Sequence, residues 1–187
     1  RLQAGASVAA IGCGAVGLNV IQGAVLAGAG QIIAIDVAQS RRDLAARFGA
    51  THTIDGSAPD LVEHVKALTE GRGVDAVFEA AGRAATFRLA VEAVRPGGEV
   101  VWLGKVPVDS EVGFRCGSLM GEKHLVRSSY GNARPRRDFP WLVREYLRGR
   151  LNLDDLITSR ITLSQINEGF ATLARGEGIR TVIMLDR

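Results

Sequence analysis

The chain has 187 residues, 47% of them apolar and 23% charged, with a formal net charge of only +3. That balance excludes a disordered segment and a polycationic nucleic-acid binder, and the length allows one large domain, or a domain with an appendage, around a core of its own. Cys13 and Cys116 are too few for a disulfide framework and fit a reducing, cytoplasmic setting.

No charged residue stands between Arg1 and Asp36, so hydropathy alone would admit a membrane span there. The texture argues against it. A spanning helix needs about 20 continuous apolar residues, and this stretch is broken by Gly12, Gly14, Gly17, Gly23, Gly28 and Gly30. It divides into a strand, SVAAIG, a helix, AVGLNVIQGAVLAG, and a second strand, QIIAIDV. Both strands are unbroken apolar runs, the pattern of strands covered on both faces. The helix carries Val16, Val20 and Ala24 at helical spacing with Leu18, Ile21 and Val25 beside them, which predicts cover on most of its sides. The chain opens one short loop before its first strand, without a charged signal-like region, and reads as a piece of something longer.

The alternation continues. QSRRDLAARFG predicts a helix ending at Gly49, THTID a short strand, and APDLVEHVKALTEG a helix ending at Gly71. GVDAVFEAAG is a fourth strand, AATFRLAVEAVRPGG a helix stopped by Pro96 and two glycines, GEVVWLG a fifth strand and EKHLVRSSYG a sixth. Strands alternating with helices of roughly ten to fifteen residues call for an α/β fold of the doubly wound Rossmann type, a parallel sheet with helices on both faces. From about residue 131 the texture changes to a helix (RDFPWLVREYLRGR), an apolar turn (LDDLITSRITL), a helix (SQINEGFATLARG) and a last strand (IRTVIML). A boundary near Tyr130 therefore separates a domain over 1–130 from a segment over 131–187. Seven arginines in 127–150, against Asp138 and Glu145, read as a solvated face, since no aromatic platform or reading helix accompanies them.

Gly12, Gly14 and Gly17 form G-x-G-x-x-G between the first predicted strand and its helix. In that context the first glycine makes the tight turn, the second lets backbone approach a pyrophosphate, and the third packs helix on strand. Helix N–H groups and the helix dipole would then hold the anion. The motif demands an acid about 20 positions on, at the end of the second strand. Asp36 closes QIIAID, 24 positions after Gly12; it could accept both ribose hydroxyls of NAD and repel the extra phosphate of NADP. A plain alternative has Asp36 capping the next helix. Arg41 could reach the adenosine side, although an isolated arginine there reads by default as a solvated helix residue like Arg42.

No catalytic constellation accompanies the cradle. His52, His64 and His124 lack ligand spacing, and His64 falls on a surface helix position. Cys116 and His124, eight apart, do not make a zinc site. Cys13 lies inside the glycine loop, where packing accounts for it.

The whole chain resembles the C-terminal portion of zinc-dependent medium-chain alcohol dehydrogenases. IGCGAVGLNVIQGA is similar to that family's glycine loop, GVDAVFEAAGR to its fourth strand, and LDDLITSRITLSQINEGFATLARGEGIRTVIML to its C-terminal signature. The resemblance implies NAD held by the 12–17 loop, Ala15 included, with Val16 behind the nicotinamide ring and Asp36 and Arg41 at the adenosine ribose. It implies Ala81 and Arg83 at the adenine, Leu103, Gly104 and Lys105 at the nicotinamide end, Ser128 and Tyr130 at the carboxamide, and Arg180 at the pyrophosphate. It further implies a homodimer or homotetramer, a small alcohol or aldehyde as substrate, and a C-terminal segment packed on an N-terminal catalytic domain. The family's zinc ligands, its G-H-E motif and its four-cysteine lobe have no counterpart here, so the chain alone is expected to be inactive. Neither nucleic acid nor membrane is an expected partner. A stand-alone, non-catalytic NAD-binding module is the alternative reading; a methyltransferase with a similar Gly-rich loop is a further one, against which the third glycine and the C-terminal block stand.

Overall fold

A computed structural model describes residues 2–185. The chain divides after Ala133 into two units. In the first, β1 (Ser7–Ile11), β2 (Gln31–Asp36), β3 (His52–Asp55), β4 (Val74–Glu79), β5 (Val94–Trp102) and β6 (His124–Arg127) pair in parallel. Their order is β3-β2-β1-β4-β5-β6, the Rossmann arrangement. Helices α1 (Ala15–Leu26), α2 (Gln39–Arg47), α3 (Leu61–Ala67) and α4 (Ala84–Ala93) supply crossovers between strands.

The unbroken apolar runs behave as expected. After its first residue every position of β1 and of β2 is buried. Ala9, Ile11, Ile33, Ile35, Val77 and Val100 join Leu61 and Val65 of α3 and Ala90 and Val91 of α4 in one core.

Three local expectations need correction. First, α1 is covered on one side only: Leu18, Ile21 and Ala24 are buried, while Val16 and Val25 are 55% and 46% exposed. Second, Pro96 does not stop α4. That helix ends at Ala93, and β5 begins at Val94 and runs through the proline. The β4–β5 register shifts between the pairs Val74–Val94 and Ala76–Glu99, so the Pro-Gly-Gly stretch leaves the ladder as a bulge, a place where proline's missing N–H costs nothing. Third, α3 ends at Ala67 rather than Gly71. There the Thr69 hydroxyl donates to the Val65 carbonyl at 2.9 Å and accepts the Gly73 N–H at 3.0 Å, which turns the chain out of the helix.

The second unit contains α5 (Pro135–Leu147), β7 (Ser159–Thr162), α6 (Ile166–Ala174) and β8 (Thr181–Met184), with β7 and β8 paired in parallel. The stretch LDDLITSRITL, expected as a turn, therefore holds a strand. Its side chains alternate between half-buried and exposed, a period of two. The Thr158 hydroxyl reinforces the entry by accepting the Ile179 and Arg180 N–H groups at 2.8 and 3.2 Å.

At the amino ends of the strands, Asp75 accepts the Ser7 N–H and hydroxyl at 2.7 and 2.9 Å and the Arg95 Nε–H at 2.6 Å. Partial burial pushes its pKa up, but the Ser7 and Arg95 hydrogen bonds and the Arg95 charge outweigh it and hold the carboxyl below its ordinary value. A depressed folded pKa stabilises the fold above the unfolded pKa, and this contribution is lost as pH falls through the folded value, below about pH 4. Asp75→Asn should lower the melting temperature at pH 7 by roughly 2–4 °C, as a change of about 1 kcal/mol does in a chain of this size. It should also flatten the acid limb in thermal melts between pH 5 and 2; identical acid limbs for the two proteins would contradict the assignment.

Candidate dinucleotide-binding site

A parallel sheet delivers all its carboxyl ends to one edge, and most of the predicted site residues follow from that. The 12–17 loop leaves β1, Asp36 closes β2, Ala81 and Arg83 follow β4, Leu103, Gly104 and Lys105 follow β5, and Ser128 and Tyr130 follow β6. The strand order reverses between β1 and β4, and ligands of open α/β sheets bind at such a switch point.

The three glycines do different work. Gly12 has φ +89°, and a Cβ there would meet the Ala81 backbone nitrogen at 2.8 Å. A Cβ on Gly17 would collide with the Gly12 carbonyl. Both are demanded by the fold itself. Gly14 is not: its φ is −74°, and beyond its own local backbone no atom of the described residues lies within 4 Å of where its Cβ would be. Gly14 is also the N-cap of α1, and no described side chain hydrogen-bonds across that helix start. The result is open space in front of first-turn N–H groups, beginning at Ala15 and Val16, that α1 cannot satisfy internally.

Asp36 is only 6% exposed. Its Oδ2 accepts the Cys13 N–H at 2.7 Å and its Oδ1 accepts the Ala38 N–H at 2.9 Å. The carboxylate thus ties the end of β2 to the glycine loop. It does not cap α2, whose N-cap is Ala38 and has no side-chain cap bond. Arg41 Nη1 stands 3.9 Å from Asp36 Oδ2. Arg42, expected on a solvated face, is buried instead. Its guanidinium donates to the carbonyls of Asp36 and Val37 at 2.7 and 3.0 Å and to Asp55 at 3.0 Å, and so braces the turn after β2.

Between these elements lies a cleft of about 250 Å³ lined by Gly12, Gly14, Asp36, Arg41, Ala81 and Arg83 among others. Val37, Gly56, Thr86 and Leu89 also line it and were not legible as site residues, since nothing in their local sequence marks them. A larger hollow of about 400 Å³ lies at the opposite edge of the sheet. Asp75 and Arg95 pair there at 2.6 Å, with Glu99 as the third charged residue of its lining.

The remaining predicted residues fall as follows. The Leu103 and Gly104 N–H groups both donate to the Glu79 carbonyl, at 2.8 and 2.9 Å, and the Ser128 N–H donates to the Trp102 carbonyl at 3.1 Å. Lys105 is exposed, as are Val16 on the first turn of α1 and Tyr130 at 96%. Arg180 belongs to the second unit, where its carbonyl accepts the Thr158 N–H at 2.9 Å. His52, His64 and His124 lie on β3, α3 and β6. Among the described residues no three His, Cys, Asp or Glu side chains come together as a metal site, so the residues present do not fit a zinc ion. No described helix is long and apolar enough to cross a membrane.

The strand order and crossovers define a Rossmann-type architecture. Residues 15–148 match the zinc-binding dehydrogenase family, and the chain belongs to it. It is 34% identical to the class-3 alcohol dehydrogenase of Cereibacter sphaeroides over 98% of this chain and 51% of the relative. It superposes on the benzyl alcohol dehydrogenase of Acinetobacter calcoaceticus with a TM-score of 0.94 at 28% identity, covering 100% of this chain and 51% of the other. A zinc-binding dehydrogenase of Sinorhizobium meliloti, solved bound to NADP, gives 0.84 at 31% identity over 99% and 53%. The chain thus spans about half the length of the curated relatives it matches.

Cys13 tests the local electrostatics. It is fully buried, and burial, followed by the Asp36 charge, pushes its thiol up to about 12, with Arg41 opposing. Cys116 is exposed. At pH 8 a thiol reagent should therefore titrate Cys116 alone and reach Cys13 only in denaturant; labelling of both at one rate in the folded chain would contradict the packed loop.

Proposed function

We propose that this chain is the NAD-binding portion of a zinc-type alcohol dehydrogenase. The observation that carries the reading is the contrast among the glycines: two are required by packing, while the one at the helix start leaves space that the fold itself does not use. The cradle fits a dinucleotide in shape and in charge. First-turn N–H groups of α1 would hold the pyrophosphate beside Gly14. Each Asp36 oxygen accepts one main-chain N–H and keeps lone-pair capacity for a ribose hydroxyl. Its negative charge disfavours the additional phosphate of NADP, with Arg41 softening that effect from 3.9 Å.

Ala81 and Arg83 would flank the adenine. Val16, the 103–105 stretch, Ser128 and Tyr130 would meet the nicotinamide end, and Arg180 the pyrophosphate. When bound, NAD supplies the hydride acceptor for a small alcohol; this chain orients it. The zinc ligands and most of the substrate pocket would come from sequence outside this chain, and the 131–187 segment would pack on that part. The assembled enzyme would be a cytoplasmic homodimer or homotetramer.

Calorimetric titration with NAD+ and NADP+ tests this. The chain should bind NAD+ in preference to NADP+, and Asp36→Ala should weaken NAD+ by about 1.5–3 kcal/mol, roughly tenfold to a hundredfold. Gly14→Ala should change folding stability by about 1 kcal/mol or less yet weaken NAD+ by roughly tenfold or more, because its methyl fills the approach to the pyrophosphate. Absence of dinucleotide binding, or a Gly14→Ala protein that binds like the parent, would contradict the assignment. By itself the chain should oxidise no alcohol; measurable zinc-dependent turnover would show that the catalytic groups are present after all.

A further inference from the structure

Glu79 closes β4 and is 0% exposed. It belongs to none of the proposed cofactor contacts, yet two of the segments that make them converge on it. Its Oε1 accepts the Ala81 N–H at 3.0 Å, the Gly82 N–H at 2.7 Å and the Thr86 hydroxyl at 2.7 Å. Its main-chain carbonyl accepts the Leu103 and Gly104 N–H groups. Its Oε2 has no hydrogen-bond partner among the described residues and occupies the space beside Gly104, where a Cβ would come within 2.5 Å of it. Ala81 in turn abuts Gly12.

We infer that Glu79 is a positioning residue for the dinucleotide. Without touching the cofactor, it fixes the backbone after β4 and the backbone after β5 in one arrangement. The two ends of the cofactor would rest on these two stretches, and the first of them backs the glycine loop.

The chemistry explains why an acid stands there. Two of the three donors on Oε1 are N–H groups just ahead of α4, and the third is the side chain of the third residue of that helix. Negative charge is favoured at a helix start, and one carboxylate oxygen can gather donors that no single neutral apolar side chain could satisfy. Removing it leaves the part-buried Ala81 and Gly82 N–H groups without their acceptor and the Thr86 hydroxyl with only the Arg83 carbonyl, and the 81–83 stretch free to shift into the cleft. A glutamine carbonyl can take over the role of Oε1, because the three bonds need an acceptor of that length. Gly104 is the complement: a side chain there would collide with the Gly82 backbone and with the Glu79 carboxyl together.

The inference rests on the NAD reading, and calorimetry at a temperature well below every melting point separates the two. The proteins are the parent chain, Glu79→Ala, Glu79→Gln, Thr86→Val, and Val65→Ala as a core control remote from the cleft, each with its own melting curve. Glu79→Ala should weaken NAD+ by roughly tenfold or more and Thr86→Val by about threefold, while Glu79→Gln stays within about threefold of the parent. Val65→Ala, which loses stability through a cavity, should bind NAD+ like the parent. If Glu79→Ala does not fold, the Thr86→Val and Glu79→Gln values decide. Unchanged affinity in Glu79→Ala and Thr86→Val would overturn the inference. So would a loss in Glu79→Gln equal to that in Glu79→Ala, or a loss in Val65→Ala that tracks its melting point as theirs do. A parent chain that does not bind NAD+ would overturn the NAD reading itself, and this inference with it.

Discussion

The bond from the Cys13 N–H to the Asp36 carboxylate, 2.7 Å long and buried, is the constraint on which the rest of the site depends. The chain leaving β1 must turn sharply to start α1, and the turn exposes N–H groups that neither the sheet nor the helix can pair. Asp36 takes one of them from the neighbouring strand end and with its other oxygen takes the N–H of Ala38. Arg42 then secures the Asp36 and Val37 carbonyls from beneath. The glycine loop is thus held in shape by the fold itself, and in the proposed reading the first-turn N–H groups of α1 would then serve as a pre-ordered anion site. Preordering of this kind spares a ligand the entropic cost of ordering the loop.

The same device recurs one strand away. A parallel sheet ends abruptly at its carboxyl edge, and each crossover leaves backbone donors near the core. β2 ends in Asp36 and β4 in Glu79, each buried and each accepting main-chain N–H groups, Asp36 from Cys13 and Ala38 and Glu79 from Ala81 and Gly82. Between them they bracket the switch point. Both carboxyl groups thereby serve the fold as acceptors for the backbone at the carboxyl edge. At the other edge of the sheet, Asp75 ties β1 to β5 through Ser7 and Arg95, well away from the cleft.

Much of this was legible in the sequence. Strands buried on both faces announce themselves as unbroken apolar runs, and the glycine spacing with an acid at the next strand end reports a local geometry that few other arrangements need. What was not legible depends on contacts distant in the chain. Arg42 reads as a surface residue because its partners include Asp55, thirteen positions away. Pro96 reads as a helix stop because a bulge is visible only once β4 is in register beside it. β7 is four residues long and sits in a run of mixed polarity, so its period of two is too brief to separate from a turn. Val16 belongs to a helical stripe that suggests burial, but in this chain the sheet covers the Leu18 and Ile21 side instead. Glu79 did carry a signal: an acid closing the apolar strand AVFE, in parallel with the acid closing IIAID.

The central claim is that the loop between β1 and α1 is a preformed seat for the dinucleotide pyrophosphate. The most direct measurement is a residue-resolved NMR titration of the backbone amides with NAD+. The claim predicts that Gly14, Ala15 and Val16 shift first and furthest, with Ala81 and Arg83 moving along the same binding isotherm, while the Cys13 amide stays protected from exchange in both states because Asp36 already holds it. Shifts confined to the opposite edge around Asp75 and Arg95, or a Cys13 amide that exchanges freely until NAD+ is added, would contradict it.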